Sequence, residues 1–233
     1  MQSQRAVVIG ATGLIGNHVV ETLLNDDAFN KVRVLVRKSY LITHPTLEIK
    51  MADFNNINDY GAKMGDGDFI FCCIGTTLNK VKGNKEAYRK VDYDIAVNAA
   101  RIAWAQGFKK YLLVSSVGAN ANSSNFYLKL KGEVERDVSS ISFESIHIFQ
   151  PSMLLGKRNE FRFGELTGKG LMKPLSFLLM GSLRKYKPIQ AKDVAKAMVA
   201  AAKKELRGIH VYTYDEIKSI GKSQSMGAIP VMK

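Results

Sequence analysis

Near its start the chain passes from the apolar run Ala6-Val7-Val8-Ile9 into Gly10-Ala11-Thr12-Gly13-Leu14-Ile15-Gly16. No other feature restricts the fold as tightly. A strand that ends in glycine and gives way at once to a helix-like stretch is the junction that opens a parallel α/β unit. Such a junction cradles a dinucleotide when three glycines divide the work. One makes the tight turn, one lets backbone approach the pyrophosphate, and one lets helix pack on strand. The helix N-terminus then offers N–H groups and the positive end of its dipole to the phosphates. Gly10, Gly13 and Gly16 have that context, in a Gly-x-x-Gly-x-x-Gly spacing one residue wider at the front than the usual fingerprint. By itself the pattern also fits a glycine turn that only packs. As a cradle it comprises Gly10, Thr12, Gly13, Leu14, Ile15 and Gly16.

The rest of the chain continues the alternation. Strands are expected over 6–10, 31–37, 47–51, 69–74, 111–115 and 145–149, the last stopping at Gln150-Pro151. Helical patterns fall over 14–24, over 86–106 with Gly107 as C-cap, and from the loop 118–125 to about residue 138. Nearly continuous apolar strands are those of a sheet covered on both faces. The predicted class is therefore α/β, a doubly wound parallel sheet. Beyond Pro151 the pattern loosens into a small C-terminal substrate-side lobe over 151–215 within the single domain 1–233. It holds a basic stretch over 156–170, an apolar helix candidate over 171–183, an alanine-rich helix over 193–205 and a last strand over 209–214. Residues 221–233 are expected to fray.

Composition narrows the classes. An apolar share of 46% with 24% charged residues fits a soluble globular protein, and no run is long enough to cross a bilayer. The adjacent Cys72 and Cys73 lie in an apolar strand, cannot build a disulfide framework and read as inert packing in a reducing, cytoplasmic setting. His18, His44, His147 and His210 are far apart and suggest no metal site. A net charge of +13 attracts anions. The basic residues are scattered, however, and no recognition motif accompanies them, so specific nucleic-acid binding is not expected.

Other positions favour the cradle. Dinucleotide enzymes that prefer NAD carry an acidic residue about 20 positions past the glycines, on the ribose 2′-hydroxyl. Here the second strand ends in Arg37-Lys38, a pair suited to a 2′-phosphate, so NADP(H) is favoured over NAD(H). Asp53, beside Phe54, could accept from the adenine amino group. The small residues of Ile74-Gly75-Thr76 would let the chain pass close to the cofactor. Ser115 and Ser116 end the fifth strand, and Tyr127 and Lys131 lie one turn apart on the following helix. A nearby cation favours a phenolate, which suits a general acid serving a carbonyl, while a serine hydroxyl holds the carbonyl oxygen. The bland alternative is a packed Tyr and a surface Lys.

The segments GATGLIG, LVRK, MADF, CCIGTT, VSSVGAN, YLKLK and IQAKDVAKA together resemble the atypical short-chain dehydrogenase/reductase superfamily. SSVGANANSSNFYLKLKGEVE followed by FQPSMLLGKRNEFRFGE is similar to its HIV Tat-interacting oxidoreductase-like group and bacterial relatives. The resemblance implies a Rossmann fold, with NADPH across the strand carboxyl ends. It gives Tyr127 and Lys131 the Tyr-x-x-x-Lys roles, with Ser116 (or Ser115) as third member and Lys131 also on the nicotinamide ribose. Ser115, Gln150 and Pro151 join the cofactor contacts; many relatives have Arg-Pro at the last two. The expected activity is hydride transfer between NADPH and a carbonyl or alcohol of a small molecule. Residues 171–180 and 153–155 either wall a lipophilic pocket or are core. The alternative activity is an NADPH-sensing scaffold that acts on a protein partner. Monomer and homodimer both fit.

Overall fold

The computed structural model describes residues 4–156 and 180–225. Seven parallel strands form one sheet: β1 (Gln4–Ile9), β2 (Phe29–Val36), β3 (Leu47–Met51), β4 (Phe69–Cys72), β5 (Lys110–Val114), β6 (Ser145–Phe149) and β9 (Gly208–Tyr212). Their spatial order is β3-β2-β1-β4-β5-β6-β9. The chain reverses direction across the sheet between β1 and β4, which opens a crevice at their carboxyl ends. The predicted doubly wound Rossmann architecture is the one observed.

Strand side chains alternate between two cores, as a period of two requires. Ala6, Val8, Phe69 and Phe71 join one cluster, beneath α1 (Leu14–Leu24), α6 (Ala191–Ala202) and α7 (Tyr214–Ser225). Val7, Ile9, Ile70 and Cys72 join the other, beneath α2 (Ile57–Met64), α4 (Ile95–Ala105) and α5 (Phe126–Ser139). Cys72 and Cys73 therefore face opposite cores, both buried and free, which explains why neighbours in sequence cannot pair.

Several expectations need correction. The helix α2 was not foreseen, because only Tyr60, Gly61 and Met64 of its eight residues are buried. Asn56 nonetheless caps it, accepting from the N–H groups of Asn58 and Asp59, and Asp59 pairs with Lys63 a turn on. The expected helix over 86–106 is three segments: α3 (Lys85–Arg89), one π-helical turn (Lys90–Asp94), then α4. It ends before Gly107 at φ +84°, as predicted. The strand expected over 69–74 stops at Cys72. The alanine-rich helix is α6, and residues 203–205 lie beyond it. Residues 221–225 are not frayed: α7 runs to Ser225, and Gly221 is buried where a Cβ would lie 3.1 Å from the Asp193 carbonyl oxygen. The basic stretch over 157–170 and the apolar helix candidate as far as 179 lie outside the described residues, as does 226–233. Gly181–Tyr186 is a 3-10 turn, and β7 (Leu154–Leu155) pairs with β8 (Ile189–Gln190) in a separate two-stranded sheet.

His147 and His210 are not far apart. The β6–β9 register sets them opposite each other, and their rings stack at 5.3 Å. His147 is buried, with Nε2 2.7 Å from Ser145 Oγ and Nδ1 2.9 Å from the Tyr212 hydroxyl. No group of three or more metal-ligating side chains occurs among the described residues.

Candidate active site

At the end of β1 the three glycines take separate places in one tight strand-to-helix turn. Gly10 turns the chain at φ +80°, and a Cβ there would fall 2.6 Å from the backbone of Cys73. The N–H of Gly13 donates to Gly10 O at 2.9 Å and closes the turn. Gly16 lets α1 settle on that turn, for a Cβ would meet Gly10 O at 2.1 Å. Gly13 is also the N-cap of α1, at φ −76° and ψ 165°, and a glycine has no side chain to satisfy the first-turn N–H groups. Leu14, Ile15 and Gly16 form that first turn, with Thr12 exposed beside them. The cradle has the backbone shape and dipole that a pyrophosphate fits.

The neighbouring strand ends bring the other expected residues to the same edge. Ile9 pairs with Leu35, so Arg37 and Lys38, both exposed, follow β2 directly beside the cradle. Tyr40 donates to Asn17 Oδ1 at 3.3 Å and ties this segment to α1. Val36 pairs with Met51, which sets Asp53 and Phe54 one strand further out. Asp53 Oδ1 accepts from the backbone N–H of Asn55 and its side-chain amide, and Phe54 packs on Tyr60 at 5.4 Å. On the other side, half-buried Ile74, Gly75 and Thr76 leave β4, the strand packed against the glycine turn.

The residues expected to handle a proton lie along the same carboxyl edge. Ser115 and Ser116, both buried, follow β5, and the N–H of Ser115 donates to Phe149 O at 2.7 Å. The N–H of Val117 donates to Pro151 O, so the ends of β5 and β6 are stitched together. Tyr127 and Lys131 stand four residues apart on α5, a rise of about 6 Å. The cap of that helix is Asn125, whose side chain accepts from the N–H of Leu128. Gly132 admits the loop after β5, since a Cβ there would lie 2.1 Å from Ala121 N.

Two acidic residues escaped the sequence reading. Asp92 Oδ1 lies 3.0 Å from Lys131 Nζ, the two side chains only 1% and 7% exposed, and its Oδ2 accepts from the N–H of Thr76 at 2.6 Å. The signal was present: Tyr88, Asp92, Ile95, Ala96 and Ala99 form one buried stripe, and a charge on such a stripe needs a buried partner. Glu135 continues the stripe of Tyr127 and Lys131 by another turn. Gln150 Nε2 lies 2.9 Å from both its oxygens, and its carboxyl, raised by burial and eased by the hydroxyl of Ser115, is held above its ordinary range. The Gln150 side chain is thus committed to α5.

A glycine cradle at the β1–β4 crevice, with a Tyr and a buried Lys on the helix after β5, defines a dinucleotide-binding α/β protein. The chain belongs to the family described as NAD(P)H-binding, which matches residues 10–205. It is 33% identical over 168 residues to protein HTATIP2 of Rattus norvegicus, covering 71% of this chain and 69% of that one. It is 30% identical over 224 residues to the mitochondrial protein FMP52 of Eremothecium gossypii, covering 94% of this chain and 98% of that one. Among solved structures, a putative NAD-dependent epimerase/dehydratase from Bacillus halodurans superposes with a TM-score of 0.68 at 18% identity, covering 95% of this chain and 100% of that one. At that identity the likeness concerns the fold. No helix among the described residues is long and apolar enough to cross a membrane.

Proposed function

We propose that the protein is an NADP(H)-dependent oxidoreductase acting on the carbonyl or alcohol of a small molecule. The observation that carries this reading is the buried Lys131, one turn from Tyr127 on the helix that follows β5, at the sheet edge where β1 ends in its glycine turn. When bound, the nicotinamide supplies or takes the hydride. The chain's own residues do the rest. Gly10, Gly13, Gly16 and the first turn of α1 bind the pyrophosphate. Arg37 and Lys38 pair with a 2′-phosphate, and Asp53 meets the adenine. Ser116, with Ser115 beside it, orients the carbonyl oxygen, and the Tyr127 hydroxyl moves the proton to or from it. The Lys131 ammonium stabilises the phenolic oxygen once its proton has gone. The cytosol is the proposed compartment; the mitochondrial label belongs to the FMP52 relatives, and cell fractionation decides between the two.

Titration with NADPH and NADH tests the cofactor half. A bidentate arginine–phosphate contact is worth about 1.5–3 kcal/mol, so Arg37→Glu should weaken NADPH by about tenfold or more and spare NADH. Equal loss of both dinucleotides counts against the 2′-phosphate role. Dinucleotide binding with no turnover on any aldehyde, ketone or alcohol would move the assignment to a sensing scaffold.

A further inference from the structure

The outer surfaces of two helices are already latched. Arg89 donates to Glu133 at 2.5 Å, and the Tyr93 hydroxyl donates to Asp137, joining the helix that begins at Lys85 to α5. Adhesion between these elements therefore needs no buried charge. Burying an ion pair desolvates both groups, and apolar residues of similar volume often serve stability as well or better. Yet Asp92 and Lys131 are buried together, and Asp92 sits at the centre of the π-helical turn Lys90–Asp94. That wider turn sets Asp92 inward while Arg89 and Tyr93 stay at the outer latch. A π turn has poorer backbone geometry than the helix it interrupts and is commonly retained at functional sites.

We propose that Asp92 is a positioning residue whose two oxygens hold two parts of the site in register. Oδ1 fixes the Lys131 ammonium and Oδ2 fixes the backbone of the 74–77 loop through the Thr76 N–H. A dinucleotide lying along that loop then meets Lys131 and Tyr127 with its nicotinamide half at a set distance. This rests on the reading of Lys131 given above. The adenine half is held elsewhere, at the cradle and the ends of β2 and β3, and does not depend on Asp92.

That division supplies the test. Asp92→Asn keeps the volume and an oxygen acceptor for Thr76 but removes the charge opposite Lys131; Asp92→Ala removes both. With folding checked by thermal melts, the probes are NADPH, NADH and ADP, the last occupying the adenine half alone. Asp92→Asn should bind ADP within about twofold of wild type while NADPH and NADH weaken by about tenfold or more, with a larger loss in Asp92→Ala. Unchanged dinucleotide affinity, or ADP and dinucleotide affinities falling together, overturns the proposal. Amine-selective labelling read by mass spectrometry gives a second arm, with Lys131 protected in wild type and reactive in Asp92→Asn. A wild type that binds neither dinucleotide overturns the oxidoreductase reading and the cofactor half of this proposal, while the labelling contrast still decides whether Asp92 places Lys131.

Discussion

Gly16→Ala tests the cradle where it has no room to yield. The added Cβ would lie 2.1 Å from the Gly10 carbonyl oxygen, 2.8 Å from its carbon and 3.1 Å from the Ala11 Cα. All three are backbone atoms, so no rotamer change relieves the contact. Non-bonded carbon contacts settle at about 3.5–4.0 Å, which requires α1 to withdraw by roughly 1 Å. Overpacking of this kind costs about 1–3 kcal/mol. For a domain of this size each kcal/mol lowers Tm by about 2–4 °C, so a fall of about 2–12 °C is expected in a melt followed by circular dichroism. The same retreat carries the first-turn N–H groups off the phosphate position, and NADPH and NADH affinity should drop by about tenfold. Gly107→Ala is the control. Its φ of +84° makes alanine costly, yet nothing lies within 4 Å of the new Cβ and the site is at the opposite sheet edge. It should lower Tm and leave affinity alone. Wild-type dinucleotide binding by Gly16→Ala would refute the assignment of Gly16 to the cradle.

Two further outcomes concern stability. Burial, followed by the charges of His210, Lys110 and Lys204, pushes the His147 imidazole down to about 3. The fold keeps it neutral while the unfolded chain takes up a proton below about pH 6.5, so its contribution is intact above that pH and declines toward pH 3. By pH 5 the loss is about 2 kcal/mol, and urea melts at pH 7 and pH 5 should show a shallower decline in His147→Gln; equal declines contradict the account. Asn125→Ala removes the cap of α5 and should cost about 1 kcal/mol by the same assay, with the larger functional effect on turnover because Tyr127 lies in the first turn. A Tm fall with turnover unaltered would show that the cap does not place Tyr127.

The sheet was legible because its central strands are apolar on both faces and its helices carry clear stripes. The bounds of α1, β3 and β6 match the expected 14–24, 47–51 and 145–149. The glycines were legible for a related reason: contacts of 2.1–2.6 Å leave no alternative residue at Gly10 or Gly16. What escaped depends on distance in sequence. Asp92 and Lys131 are 39 positions apart and meet only because a π turn rotates one helix toward another. Glu135 and Gln150 meet only once β6 lies beside β5. His147 and His210 looked unrelated because the register of β6 with β9 is invisible until the chain has folded through α6. The short α2 gave too few buried positions to stand out, and its capping Asn56 was the clue left unused.

The most direct test is turnover by wild type and Tyr127→Phe on a panel of aldehydes and ketones, followed by the disappearance of NADPH absorbance, with NADPH affinity measured on the same preparations. General acid catalysis contributes about 10²–10⁴-fold, so Tyr127→Phe should lose at least about a hundredfold in turnover while binding NADPH as wild type does. Equal turnover by the two proteins would contradict the account, because the proton would then come from some other group.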